Sequence, residues 1–417
     1  MGGEVAGPRL GTAVPAPPAA PSAPVPPGLR AASRAGIRAR NLSALLRTVH
    51  LHGPRSRSEL TELIGVNRST IGVLVATLAE AGLVGEQPGA GSGRAGRPSQ
   101  VVTARADARY ALAVDLRVRQ VVAARVGLGG GVQQRLELPA PDGGIDRAVA
   151  VVAQACARLR EAAPPAAACV GVGVAVPGMV GGGVARLTPN LGWVDVPLAD
   201  ELTRRLGLPV RIDNEADLGV LAEQLRGAAV GADYVVYLSG EVGVGAGVIS
   251  GGRPLRGVGG YAGEIGHIMV NPRGVPCRCG SRGCLETEIG AEALLRAAGR
   301  PPGGGAVAAA GVLAAARQGE AGARMAVARV AGWLGRGLAL LVNTFNPALV
   351  LVGGPLGALY RAATDTVTAA YTEAALPAPR EQARIALPAF GEDSTLLGAA
   401  ELVFTDLLED PLAPSAA

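Results

Sequence analysis

Three of the chain's five cysteines crowd into eight residues, Cys277-Arg-Cys279-Gly-Ser-Arg-Gly-Cys284, and one of only three histidines, His267, stands ten residues ahead of them. Three thiolates and one imidazole form the donor set of a tetrahedral Zn²⁺ site. Free thiols buried in a loop, or a redox-active cluster, are the other readings. They fit less well, because cysteines separated by Gly and Arg make a poor core and the sequence has no Cys-x-x-Cys. Four protein ligands leave no open position on the metal, so the expected Zn²⁺ is structural. Cys156 and Cys169 are expected as inert, buried thiols. Glu264 lies three residues before His267 and Glu286 two after Cys284. Each alone reads as an ordinary surface glutamate, but a metal fixing His267 and Cys284 would fix both carboxylates in one pocket, where they suit bidentate hydrogen bonding of vicinal hydroxyls.

Such a pocket needs elements to position it. From Tyr110 the sequence alternates strands and helices. Three β-like runs (110–115, 120–127, 131–138) precede an Ala-rich helix over 145–160 and an apolar strand over 169–176, a βββαβ start. Further βα alternation follows: a strand over 210–212 with a helix from Asn214, strands over 234–239 and 244–249, helices around Ala291 and over 325–341, and an apolar strand over 349–352. The pattern predicts an α/β architecture, in two lobes.

The segment ahead of it reads differently. Leu42, Leu45, Leu46 and Val49 fall at helical spacing and Gly53-Pro54 ends that helix. Ser56-Arg-Ser-Glu59 is a capping box leading into Leu60, Leu63 and Ile64. After a turn at Gly65-Val66, Asn67 can cap a third helix with the stripe Ile71, Leu74, Val75 and Leu78. Three short helices with a tight turn between the last two make a helix-turn-helix, whose last helix enters the major groove by its N-terminal end. Asn67, Arg68, Ser69 and Thr70 are the candidate DNA contacts there. A small protein-interaction bundle is the alternative. Against it, Leu83-Val84 and Val101-Val102 read as the strands of a β-wing, and the Gly-rich loop between them carries Arg94 and Arg97, which suit a narrow minor groove or phosphates.

Composition bounds the rest. At about 150 residues per domain, 417 residues make two or three domains. All 39 basic residues are Arg, which excludes a Walker-type phosphate loop and a pyridoxal Schiff base, since both need a lysine. Residues 30–105 hold eleven Arg against four Glu, +7 of the net +5, leaving −2 elsewhere. The basic character belongs to one segment, as expected for an electrostatic footprint on nucleic acid. No 18-residue run is free of polar residues; the longest candidate, 338–352, is broken by Asn343, Thr344, Asn346 and Pro347, and no membrane span is expected. An odd cysteine count without an apolar leader points to a reducing, cytoplasmic setting. Residues 1–29, Pro- and Ala-rich, form an expected disordered tail, followed by the winged helix-turn-helix over 30–104 and the α/β domain over 105–410.

Gly263-Glu264-Ile265-Gly266-His267 with Cys277-x-Cys279-Gly280-x-x-Gly283-Cys284-x-Glu286 resembles the signature of the ROK family, the repressors and sugar kinases built on an actin-like (ribonuclease H-like) two-lobed fold. Val176-Pro177-Gly178, Pro189-Asn190-Leu191-Gly192-Trp193, Asp213-Asn214-Glu215-Ala216, Gly243-x-Gly245-x-Gly247 and Val352-Gly353-Gly354 follow in the family's order. With a winged helix-turn-helix in front, the chain is similar to the xylose-repressor-like branch. The resemblance implies a sugar pocket containing Asn190, Asn214, Glu215, Glu264, His267 and Glu286. Kinase members need an Asp base and glycine-rich phosphate loops, and here the chain departs. Their Asp-x-Gly-Gly-Thr-Lys is Asp115-Leu-Arg117-Val118-Arg119-Gln120, their second phosphate loop is Gly240-Glu241-Val242-Gly243, and Glu215 fills the catalytic Asp position with Asp217 at the neighbouring Asn position. No catalytic residue is therefore assigned. The expectation is a sugar-responsive repressor that binds operator DNA, responds to a sugar or sugar phosphate, and works as a homo-oligomer, dimer or tetramer. An ATP-dependent, glucokinase-like sugar kinase carrying a DNA-binding domain is the first rival, and a DNA-binding module whose pocket only stabilises the fold is the second.

Overall fold

A computed structural model describes residues 34–88, 100–140, 143–240 and 242–413; the tail, the wing tip with Arg94 and Arg97, and Glu241 lie outside the described residues. Helix α1 (Arg34–His52) leads into a short strand β1 (Arg55–Ser56), α2 (Arg57–Ile64), α3 (Arg68–Glu80) and the hairpin β2 (Val84–Pro88) and β3 (Gln100–Ala104). The expected capping box is present: Ser56 Oγ accepts from the Glu59 amide at 3.2 Å while Glu59 Oε2 accepts from the Ser56 amide at 2.7 Å. Gly65 closes α2 in the left-handed region, and α3 sets off at 108° to it, within the usual range for a helix-turn-helix. The stripe Ile71, Leu74, Val75 and Leu78 is buried. Strand β3 pairs with β2 and also with β1, which the sequence does not reveal because two residues are too few to show alternation.

The first lobe is a five-stranded sheet. Strands β4 (Arg109–Leu116), β5 (Gln120–Gly127) and β6 (Val132–Pro139) form an antiparallel meander; after α4 (Ile145–Glu161), β7 (Ala168–Val176) returns parallel to β4. A small sheet of β8 (Met179–Gly181), β9 (Val184–Thr188) and β10 (Trp193–Val196) and helix α5 (Leu198–Leu206) intervene before β11 (Val210–Asn214), parallel to β7, and α6 (Glu215–Arg226).

The second lobe repeats the order. Strands β12 (Val235–Gly240), β13 (Val244–Ser250) and β14 (Arg253–Pro254) are antiparallel. Then come α7 (Leu285–Ile289), α8 (Ala291–Ala297), α9 (Gly305–Arg317), α10 (Ala321–Phe345), β15 (Leu349–Val352), α11 (Gly354–Ala362), α12 (Thr364–Ala374), α13 (Pro377–Gln382), β16 (Arg384–Ala386) and α14 (Ser394–Glu409). Sheet order β11-β7-β4-β5-β6 in one lobe and β16-β15-β12-β13-β14 in the other is one topology used twice. The carboxyl ends of β4, β7, β11, β12 and β15 face one cleft, the usual ligand position in an α/β sheet.

The apolar stretch expected at 338–352 is divided between α10 and β15, with Asn346 in the left-handed conformation closing the helix. By length and composition α10 could cross a membrane, yet 61% of its most apolar window is buried, within the second lobe's core. Helix α14 returns to the first lobe, packs along α6, and meets α1. One continuous core therefore joins Leu42, Leu45 and Leu46 of α1 to Leu396, Phe404 and Leu408 of α14 and Ala111 and Ala113 of β4.

Candidate functional site

The turn Gly263–His267 runs so close to β13 that a Cβ on Gly266 would lie 1.9 Å from Val244 O, so only glycine fits there. That approach brings Glu264 and His267 to the cleft. Cys284 is the N-cap of α7, whose first turn carries Glu286, and a β-bridge between Met269 and Cys284 ties the two segments together. His267, Cys277, Cys279 and Cys284 converge, with all four donor atoms within 4.8 Å of one another. Zn–S bonds of about 2.3 Å at a tetrahedral centre put ligand atoms about 3.8 Å apart. Cys279 Sγ to Cys284 Sγ is 3.7 Å, and Cys277 Sγ to His267 Nδ1 is 3.7 Å. The donor set and its spacing fit Zn²⁺. Nδ1 faces the thiols, and Nε2 points to the other side, 3.9 Å from Glu264 Oε2 and beyond direct hydrogen-bond reach.

The cleft beside this knot has a volume of about 560 Å³ and is lined by Asn190, Asn214, Glu215, Glu264, His267 and Glu286, so all six expected pocket residues share one cavity. Glu286 Oε1 accepts from Cys277 Sγ at 2.9 Å and lies 3.8 Å from His267 Nδ1. Asn190 Oδ1 accepts from Arg278, whose own loop is held by the cysteines. Asn214 caps α6 through Oδ1, which accepts from Ala216 N at 2.7 Å and Asp217 N at 3.3 Å. Its Nδ2 donates to Gly178 O at 2.8 Å and to Glu215 Oε2 at 3.0 Å. Gly178 adopts φ +136°, and a Cβ there would lie 2.5 Å from Leu187 O. Burial, with Asp115 nearby, pushes the Glu215 carboxyl up to about 8. Burial beside Asp213 likewise lifts Asp217 to about 7.

At the other end of the cleft, Arg117, Val118 and Arg119 are in the lining. Arg117 Nε donates to Asp115 Oδ2 at 2.6 Å and its Nη2 to Glu392 O at 3.3 Å, so the guanidinium fills space at the strand end. Cys156 is fully buried, as expected, and its thiol is pushed up to about 12, whereas Cys169, also expected to be buried, is only half-buried.

In the helix-turn-helix, Arg68 and Ser69 are exposed at the start of α3 and Thr70 is half-buried. Asn67 is exposed, but its Oδ1 is engaged as the helix cap, accepting from Thr70 N at 2.8 Å and Ser69 Oγ at 2.7 Å. Sequence reasoning missed a buried group between the two regions. His50 at the end of α1 is fully buried; its Nδ1 accepts from Gly129 N at 2.9 Å, so its proton is on Nε2, which donates to Glu401 Oε2 at 2.9 Å. Glu401 Oε1 accepts from Arg226 Nε at 2.6 Å. The signal was available: His50 lies four residues after Leu46 on the buried stripe of α1.

A two-lobed sheet topology used twice, a Cys3His knot beside a polar cleft and a helix-turn-helix in front define an actin-like domain joined to a DNA-reading module. Residues 111–406 match the ROK family, and the chain belongs to it. It is 27% identical to the xylose repressor of Bacillus spizizenii (strain ATCC 23059 / NRRL B-14472 / W23), covering 88% of this chain and 96% of that one. It is 33% identical to a glucokinase of Halalkalibacterium halodurans, over 56% of this chain and 76% of the enzyme. The solved structure of a ROK family transcriptional regulator, a homologue of the E. coli MLC protein, superposes with a TM-score of 0.72 at 25% identity, covering 90% of this chain and 98% of that one.

Proposed function

We propose that the chain is a sugar-responsive transcriptional repressor of the cytoplasm and has no phosphoryl-transfer activity. The winged helix-turn-helix of residues 30–104 binds a palindromic operator as part of a homo-oligomer, with Arg68, Ser69 and Thr70 at the groove and Arg94 and Arg97 on the wing. A sugar or sugar phosphate binds in the cleft to Asn190, Asn214, Glu215, Glu264, His267 and Glu286. The observation that carries this reading is the continuous core from α1 through α14 to β4, since lobe closure on a ligand then moves the reading helices as one body with the first lobe.

Zn²⁺ held by His267, Cys277, Cys279 and Cys284 would supply structural cross-linking there, fixing the rim that carries Glu264 and Glu286. Glu215, in the cleft wall, hydrogen-bonds a sugar hydroxyl, and Arg117 fills the strand end at which phosphate would need backbone amides. An effector shifts operator affinity only by its differential affinity for the two lobe arrangements. The test is a panel of free hexoses and pentoses with ATP, scored both for nucleotide turnover and for release of an operator duplex. Release by one sugar without ATP consumption is expected; stoichiometric formation of sugar phosphate would make the chain a kinase.

A further inference from the structure

Helix α3 presents to solvent a stripe that the sequence reading did not single out. Ser69, Gly72, Val73 and Ala76 fall at i, i+3, i+4 and i+7, on one face. Ser69, Val73 and Ala76 are exposed and Gly72 is half-exposed. Val73 is 58% exposed, whereas the helix's other large apolar residues, Ile71, Leu74, Val75 and Leu78, are buried. The stripe is small-sided throughout: a Cβ added to Gly72 would meet only Arg57 Nη1, at 3.7 Å. A helix with so little side-chain bulk on its outer face can bring its backbone close to a partner, and Val73 is the one sizeable apolar group it offers there.

Guanidinium groups flank it. Gly72 and Thr77 lie on opposite edges of the stripe. Arg57 lies beside the first, with Nε and Nη2 each 2.5 Å from a carboxylate oxygen of Glu86, and Arg38 Nη2 donates to Thr77 Oγ1 at 3.0 Å on the second. Arg68 stands at the start of the helix, in a segment that carries +7. An uncharged ridge bordered by Arg38 on one edge, by the Arg57–Glu86 ion pair on the other and by Arg68 at its start can face base edges, with Arg38 and Arg68 placed to meet phosphates. Ser69 Oγ donates to Asn67 Oδ1, so towards a base it offers lone pairs only. Of the groups that distinguish base pairs in the major groove, the one suited to a branched apolar side chain is the 5-methyl of thymine.

We propose that Val73 is a specificity-determining residue that reads the 5-methyl group of one thymine in each operator half-site. This rests on the operator-binding reading above. The experiment uses the full-length, zinc-loaded protein and an operator recovered by selection from a random duplex pool, with each thymine replaced in turn by deoxyuridine, which lacks only the methyl. One position per half-site is expected to weaken binding about fourfold, the worth of roughly one buried carbon. Val73→Ala should bind more weakly and be indifferent to deoxyuridine at that position, and Val73→Ile should restore the sensitivity. If no position in the wild type responds, or if Val73→Ala keeps the same response, the assignment to Val73 is overturned while operator binding stands. If selection recovers no preferred sequence, both readings fall together.

Discussion

The first lobe meets the DNA-reading module and the second lobe through polar boundaries built in opposite ways. Against α1, the seam is dry: His50 and Glu401 are buried, each hydrogen-bonded on both sides, and Phe404 packs edge-on against the His50 ring with centroids 5.0 Å apart. Against the second lobe, the cleft is open and Asn190, Asn214, Glu264 and Glu286 along it are half-buried; the guanidinium groups that reach between the lobes, Arg278 to Asn190 and Arg256 to the buried Asp213, are exposed. A buried pair is costly to break because the remaining charge has no water, whereas an exposed one contributes about 0–1 kcal/mol. The seam is therefore the fixed joint and the cleft the movable one. Helix α6 connects them: Asn214 and Glu215 open it in the cleft and Arg226 closes it at the seam. Helix α14 clamps both ends, with Thr395 Oγ1 donating to Glu215 O at 3.1 Å and Glu401 receiving His50 and Arg226.

Equal cuts on the two sides should have unequal effects. Glu401→Ala strands His50 and Arg226 in the core and should lower stability by about 3–5 kcal/mol, read by chemical denaturation. Calorimetry should then show the DNA-reading module melting apart from the lobes; a single unsplit transition with a small loss would mean the seam is not the fixed joint.

Metal removal acts on the cleft side. Cys284→Ser should bring zinc from about one per chain towards none and abolish the sugar response. Operator binding, which depends on the seam side, should remain; a folded, thiol-reduced wild type without zinc would remove the Cys3His assignment.

The two regions also titrate oppositely. Burial, which penalises the charged imidazolium, holds the folded-state value of His50 below its ordinary 6.5. The unfolded chain then binds more protons, so the seam loses stability as pH falls below 6.5, opposed in part by the attraction of Glu401 and reinforced by Arg226 and Arg47. Glu215 is the reverse: raised from 4.5 to about 8, it favours the folded state at low pH and loses that contribution as pH rises from 4.5 through 8. Glu215→Gln should accordingly match the wild type in melting temperature near pH 4.5 and exceed it increasingly towards pH 8.

The smallest expected effect on stability is at the rim. Arg278→Ala should change it by less than about 0.5 kcal/mol while altering sugar affinity; a larger loss of stability would show the cleft to be as rigidly held as the seam.

What the sequence made legible follows the range of the signal. The Cys3His knot, the capping box at Ser56, the Asn67 cap and the βββαβ order rest on residues close in sequence, and each has its counterpart in the structure. The engagement of Asn67 as a cap, which occupies its Oδ1, was visible only in part, because a cap and a base contact call for the same residue type. The seam was not legible: His50 and Glu401 are 351 positions apart, and no local pattern announces that the last helix returns to the first. Nor was the small sheet β8–β10, whose three- to five-residue strands are shorter than a clear alternation.

The central claim is that the cleft governs the reader without chemistry, and Glu264 tests it most directly, since it lines the cleft beside the Cys3His cluster without being one of the four residues that converge there. The measurement is operator affinity by fluorescence anisotropy, with and without the effective sugar, for the wild type and Glu264→Ala at equal zinc content. The wild type should change affinity by about 5–150-fold on adding sugar, the usual span of an allosteric coupling. Glu264→Ala should bind the operator equally well and show no change. An undiminished response in Glu264→Ala would place the effector elsewhere and contradict the account.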